Sequence, residues 1–311
     1  MSAIIQVRNL TKNFRDIKAV DDLSFTVEAG QVYGFLGQNG AGKSTTIRML
    51  LTLITPSSGD IELFGLKLLK HRKEILRQVG AIIERPDLYK YLTALENLRL
   101  FATMSGVKVS EKKLMDQLEM VGLAERANSK VKTYSQGMKQ RLGIATALVH
   151  DPRLIILDEP TNGLDPQGIA DVRNLILLLK KEQGKTLLIS SHLLSEIELI
   201  ADSMIIIDKG KKLVEGNVKD LFDPAETIVE LKTTDDDATL KKLETSSLKG
   251  YLHGQRNDCL LLKLHRNEVP DVMKHLVAME VNVISLHSKH SLEDYFLSLT
   301  TENSHVEVAK H

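Results

Sequence analysis

The 311-residue sequence contains a single cysteine, Cys259, so no disulfide can form within the chain. In the run NDCLLLKL this residue reads as a small buried apolar group. An excess of charge is also missing: Lys+Arg and Asp+Glu both number 41, and the formal net charge is zero. Without a basic excess, no nucleic acid is expected as the main partner. Apolar runs such as LILLL and SMIII fall far short of the ~20 residues that cross a bilayer. The start, MSAIIQVRNL, lacks the long apolar segment of a signal peptide. A soluble, cytoplasmic chain is expected, and any membrane role must pass through a partner. Metal-site spacing is absent as well. Seven of the ten histidines lie beyond residue 250, including His287 and His290. No tight Cys/His clustering accompanies them, so solvated histidines are the expected case.

What the chain does contain is a soluble α/β pattern. Its length exceeds the roughly 250–300 residues of one growing core, which predicts two domains. In the first two-thirds, strand-like runs alternate with helical ones. QVYGFLG reads as a strand entering a glycine-rich turn, and STTIRMLLTLI as the helix that follows. RLIILDEP and KTLLISSH are continuous apolar runs, which suits strands buried on both faces. Between the turn and RLIILDEP lies a mostly helical insertion, about Asp87 to Asp151, in which Thr93 and Glu96 form a capping box. A helix (Leu193–Ala201) and a hairpin turning at Lys209-Gly210 come next. The rhythm changes near LFDPAET, where Pro224 marks a linker. Beyond it, residues 226–300 read as an α+β domain. Its order is strand (Ile228–Lys232), helix (Ala238–Leu243), strand (Gly250–His253), strand (Cys259–Leu264), helix (Val269–Met279) and strand (Asn282–His287). That is the order of a ferredoxin-like unit. A last helix (Leu292–Leu299) and a frayed tail, 301–311, complete the chain.

Four segments carry chemistry. GQNGAGKST comprises Gly37, Gln38, Asn39, Gly40, Ala41, Gly42, Lys43, Ser44 and Thr45, and matches G-x-x-x-x-G-K-[ST]. Its glycines let backbone N–H groups wrap round phosphates. Lys43 adds a point charge, and Ser44 a hydroxyl for Mg²⁺. RLIILDEP ends in Asp158, placed to reach the magnesium of a bound nucleotide, and in Glu159, placed to act as general base on a water. The same segment runs on into TNGLDP, which puts Asp165 within a few residues of that pair. LLISSH ends at His192, whose imidazole could meet the γ-phosphate or the attacking water. The fourth segment, TYSQGMKQR, opens a helix with Ser135 as N-cap. Such a helix start suits an anion, yet the phosphate loop lies about ninety residues upstream.

In this order, GQNGAGKST, YSQGMKQRL, LIILDEPTNGLD and LLISSH resemble the ATP-binding subunit of an ABC transporter. The likeness covers almost all of the first 220 residues. It implies a P-loop ATPase core over 1–220, with 87–151 as its helical subdomain. It also implies ATP as substrate, a membrane permease as partner, and a second copy or related subunit packed head to tail. In that arrangement Ser135 and Gly137, with Gln136 where many members have glycine, would meet the γ-phosphate held by the other subunit. By the same resemblance Phe14 stacks on adenine, with Val20 beside the base, and Asp165 counts among the nucleotide-contacting residues. Glu84 stands where the family usually has a glutamine touching magnesium and the permease. With LEDYFLSLT near the end, it resembles bacitracin- and lantibiotic-type peptide exporters. Two rivals stay open: a soluble ATPase of the same family acting on ribosomes or DNA, and a nucleotide-binding scaffold that does not hydrolyse. The first usually carries two motif sets or zinc sites. Intact Lys43, Asp158, Glu159 and His192 speak against the second. The 226–300 domain would hold a dimer together or stabilise the fold.

Overall fold

The computed structural model describes residues 2–221, 226–256 and 259–289. The chain divides after Val218 into two compact units. The first opens with β1 (Ala3–Phe14) and β2 (Ile17–Glu28), an antiparallel pair. Ile5, Val7 and Leu10 of β1 and Val20, Leu23 and Phe25 of β2 point into the core. Next come β3 (Val32–Leu36), buried throughout, and α1 (Lys43–Leu50). With β4 (Ser58–Leu63) and β5 (Leu66–Lys67) the first pair completes a four-stranded sheet ordered β2-β1-β4-β5.

The rest of this unit builds a second sheet and its helical cover. α2 (Arg72–Leu76) leads into β6 (Val79–Ile82). α3 (Ala94–Met104), α4 (Glu111–Met120) and α5 (Gln136–Leu148) occupy the segment expected to be helical. The expected capping box is present at the start of α3: Thr93 Oγ1 accepts from Glu96 N, and Thr93 N donates to the Glu96 carboxylate. Then come β7 (Leu154–Asp158), α6 (Pro166–Gln183), β8 (Thr186–Ser191), α7 (Leu194–Glu198), β9 (Ser203–Asp208) and β10 (Lys211–Asn217). The strand order is β10-β9-β3-β8-β7-β6. β10 is antiparallel to β9, and the other neighbours run parallel. The carboxyl ends of β3, β8, β7 and β6 therefore stand side by side, which is where ligands bind in such sheets. α7 is shorter than the predicted helix over Leu193–Ala201. α5 lies against the loop after β6 without a side chain between them: a Cβ on Gly143 would fall 2.5 Å from Pro86 Cβ. Only glycine allows that approach.

A single helical turn, α8 (Val218–Leu221), spans the division. The second unit contains β11 (Glu226–Thr233), α9 (Asp236–Glu244), β12 (Leu252–Arg256), β13 (Cys259–His265), α10 (Val269–Ala278) and β14 (Val283–Lys289). Its sheet is antiparallel and ordered β12-β13-β11-β14. Alternate residues Val229 and Leu231 of β11 and Leu260, Leu262 and Leu264 of β13 meet Leu243, Val272 and Leu276 from the helices. Asp235 caps α9 by accepting from Ala238 N. Cys259 is half-buried, not fully buried as expected, because it opens the strand. The Pro224 linker, His290, the Leu292–Leu299 helix and the LEDYFLSLT segment lie outside the described residues. Among the described residues no helix is long and apolar enough to cross a membrane, and no His/Cys/Asp/Glu group could hold a metal by itself.

Candidate nucleotide site

β3 delivers the chain into the glycine loop, and the loop delivers it into α1. Gly42 makes the turn at φ 106°, a conformation that side chains rarely adopt, and a Cβ there would meet Ala19 O at 2.6 Å. α1 has no side-chain cap, so its first N–H groups remain for an anion. Gln38, Asn39 and Gly40 are exposed, whereas Gly37, Ala41 and Gly42 are buried beneath them. Ser44 and Thr45, in the first turn, are half-buried.

Lys43 is folded back into this loop and is only 5% exposed. Its Nζ donates to Gly37 O at 2.7 Å and to Gln38 O at 3.2 Å. It also lies 3.1 Å from Glu159 Oε1, an ion pair without the angle of a hydrogen bond. The ammonium thus has three oxygen neighbours that a phosphate would replace.

The end of β7 supplies two carboxylates with different environments. Asp158 is buried, and its Oδ1 accepts from Ser190 Oγ at 2.5 Å. Its Oδ2 is buried with no hydrogen-bond partner. A buried carboxylate oxygen left free in this way fits a hard cation. Glu159 sits in the left-handed region at φ 50°, turning its side chain off the strand. Its N–H donates to Ser190 Oγ at 2.9 Å, and its Oε2 lies 2.7 Å from His192 Nδ1. Ser190 was not singled out from the sequence. It donates to one carboxylate and accepts from the backbone of the next, so it ties β8 to the end of β7. The doubled serine in LLISSH was the available signal.

Lys43, Asp158, Glu159 and His192 are therefore joined through direct contacts and Ser190. Other expected site residues stand apart from them. Ser135 caps α5 by accepting from Met138 N at 3.2 Å and is exposed. A hydroxyl that accepts one bond keeps its O–H to donate. Tyr134, the residue before Ser135, is itself anchored: its OH donates to Arg126 O at 2.7 Å, and burial raises its phenol pKa. Gly137 is open on one side, with Gly168 Cα the nearest atom to an added Cβ at 3.7 Å. Gln136 lies against Gly163 of the same chain. Among the described residues no hydrogen bond joins Ser135 to Lys43, Asp158 or Glu159. Asp165 caps α6, accepting from Gly168 N at 3.0 Å, so one of its oxygens serves its own helix.

Phe14 ends β1 and is 45% exposed, with Lys12 Nζ 4.9 Å from its ring centroid. Val20, expected beside the base, is fully buried in β2, where an added Cβ on Gly42 or Gly210 would meet it at 3.5 and 3.0 Å. Glu84 follows β6 at φ 60° and forms an ion pair with Arg48 Nη2 at 2.5 Å. No other partner of its carboxylate was found among the described residues.

Residues 20–162 match the ABC transporter family. The chain is 43% identical over 304 residues to an uncharacterised ABC transporter ATP-binding protein, YhcH of Bacillus subtilis, covering 97% of both chains. It is 44% identical to the bacitracin transport ATP-binding protein BcrA of Bacillus licheniformis, over 96% of this chain and 98% of that one. Among solved structures, a dimeric, post-hydrolysis ATP-binding cassette, MJ0796 with ADP and Pi, superposes with a TM-score of 0.62 at 26% identity. It covers 69% of this chain and 98% of that one.

Proposed function

Since the chain belongs to the ATP-binding subunits of ABC transporters, we propose that it hydrolyses ATP between two subunits to drive a peptide exporter. ATPase activity follows from family membership. The observation that supports the hydrolysis reading best is the chain of contacts Lys43–Glu159–His192 beside the free Oδ2 of Asp158. Phosphates entering the loop take Lys43 from Gly37 O, Gln38 O and Glu159 Oε1. Glu159 is then free to accept a proton from a water in line with the γ-phosphate. His192 holds the other carboxylate oxygen through Nδ1 and can meet the γ-phosphate or the water with Nε2. Asp158 Oδ2, the Ser44 hydroxyl and Glu84 would hold Mg²⁺, which neutralises charge on the phosphates.

Ser135, Gln136 and Gly137 lie away from this cluster in their own chain, which supports their service to a second subunit. The assay mixes Ser135→Ala chains with Lys43→Ala chains. Contacts across the interface put both lesions in one composite site and leave the other whole. Mixed dimers should then hydrolyse ATP well above either single variant. Verified mixed dimers without recovery count against the cross-subunit assignment.

A permease partner would place the chain on the inner face of the membrane, engaged through the Glu84 loop and the helical subdomain, 87–151. The bacitracin relative supports a peptide antibiotic as cargo. Loss of the chain together with its permease should lower tolerance to such a peptide, and unchanged tolerance would argue for another cargo. We take 1–220 as the ATPase domain and 226–300 as a ferredoxin-like accessory domain. The antiparallel order β12-β13-β11-β14 supports that reading. Its role is to hold the dimer together or stabilise the fold.

A further inference from the structure

A small cavity of about 170 Å³ is walled by α6, α7 and the carboxyl end of β8. An apolar cavity of about 150 Å³ takes up benzene, so this one has room for a single ring or an aliphatic body of that size. Its walls are chiefly apolar: Ile176, Ile189, Ile197 and Ile200 line it and are buried. Most of its polar walls are already engaged. Thr161 Oγ1 donates to the Glu196 carboxylate. Ser191 Oγ donates to Leu193 O and accepts from Leu193 N. Ser190 is taken up by Asp158 and by Glu159 N. Arg173 is the exception. It lines the cavity from α6, is half-buried, and has no hydrogen bond or ion pair among the described residues. A guanidinium carries five N–H donors and no acceptor, and a carboxylate matches its fork with two parallel bonds. An apolar pocket with one convergent charged group is the common form of a small-molecule site.

We propose that this cavity binds a small monocarboxylate whose apolar body is about the size of one ring, with the carboxylate on Arg173 and the body among the isoleucines. Three features fix that class. The volume is too small for a nucleotide or a peptide. The isoleucine walls disfavour a bare inorganic anion, which would lose its water there and gain no apolar contact. The unpartnered guanidinium disfavours a neutral or cationic ligand, which would leave it without an acceptor. Lys43, Asp158, Glu159 and His192 do not line the cavity. The ligand is therefore expected to bind whether or not nucleotide is present.

The test titrates sodium benzoate into the full-length protein by calorimetry, with melting temperatures as a folding control. Benzyl alcohol supplies the ring without the charge, and inorganic phosphate the charge without the ring. Wild type should bind benzoate with a dissociation constant of about 1 mM, as befits so small a ligand, and should bind the other two more weakly. Arg173 has no partner to lose, so replacing it should leave the melting temperature near wild type. Arg173→Gln should weaken benzoate binding about tenfold, as expected on losing a charge-assisted hydrogen bond. Arg173→Lys keeps the charge without the fork and should fall between the two. Ile169→Phe adds bulk to the lining from α6 and should abolish binding; if that variant melts well below wild type, Arg173→Gln decides alone. Saturating Mg-ADP should leave benzoate binding in place, and competition by it would put the carboxylate in the glycine loop instead. No binding well above that concentration, binding that Arg173→Gln leaves unchanged, or equal binding of benzyl alcohol or phosphate would overturn the proposal.

Discussion

Replacing Glu159 with glutamine should tighten nucleotide binding while it stops turnover. Lys43 sits 3.1 Å from Glu159 Oε1, with side chains 5% and 16% exposed. At an effective dielectric of about 20 the gross attraction is roughly 332/(20 × 3.1), about 5 kcal/mol. Desolvation of the two near-buried groups offsets most of that. If about 1 kcal/mol survives, a phosphate that takes Lys43 must overcome it, and removing the charge should strengthen ADP binding about fivefold. ADP suits the assay because it has no γ-phosphate to hydrolyse. Calorimetric titration of wild type and Glu159→Gln with Mg-ADP gives the comparison. ATP turnover should fall at least ~100-fold in the same variant, as expected on losing a general base, and the variant should accumulate as an ATP-bound dimer on gel filtration. Unchanged or weaker ADP binding, with a wild-type melting temperature, would refute the idea that Glu159 holds Lys43 before nucleotide arrives. Near-normal turnover would show that Glu159 is not the base.

Two further expectations concern the scaffold. Asn97 is fully buried, accepts from Tyr89 N, and donates to Tyr89 O and Thr93 O. Asn97→Ala should destabilise the first unit by about 2 kcal/mol, because buried backbone groups lose their partners; a denaturation midpoint within error of wild type would contradict this. His150 has its pKa lowered by burial, against opposing effects of its contact with Val79 O and of Asp151, with Lys185 adding to the lowering. The folded state therefore resists protonation that the unfolded chain accepts near its ordinary value of 6.5. Stability from this group is full above that pH and declines as pH falls from there toward the lowered folded value. His150→Gln should flatten the pH dependence of the urea midpoint in that window, and an identical slope would rule it out.

The candidate site was legible because its strands are largely apolar and give way to glycine, charged or small polar residues, so the change of character marks the sheet edge. The helical segment was legible through its caps, and the second unit through its alternating pattern. The first sheet was not read. Asn9 and Asp22 adopt φ 49° and 55° within β1 and β2 and break the period-two signal. The full burial of Val20 was not legible either, because position along the chain does not tell which face of β2 it occupies. Ser190 meets its partners only across neighbouring strands, and no local pattern marks such contacts.

The seat of Gly143 on Pro86 makes α5 a stiff lever. Ser135, at the tip of that helix, is eight residues from Gly143, about 12 Å at 1.5 Å per residue. Pro86 follows Glu84 by two positions and has a rigid ring. Nothing soft lies between helix backbone and ring, so no rotamer change can take up play in the joint. A residue as small as alanine at position 143 would put its Cβ 2.5 Å from Pro86 Cβ and act as a wedge that prises the two apart.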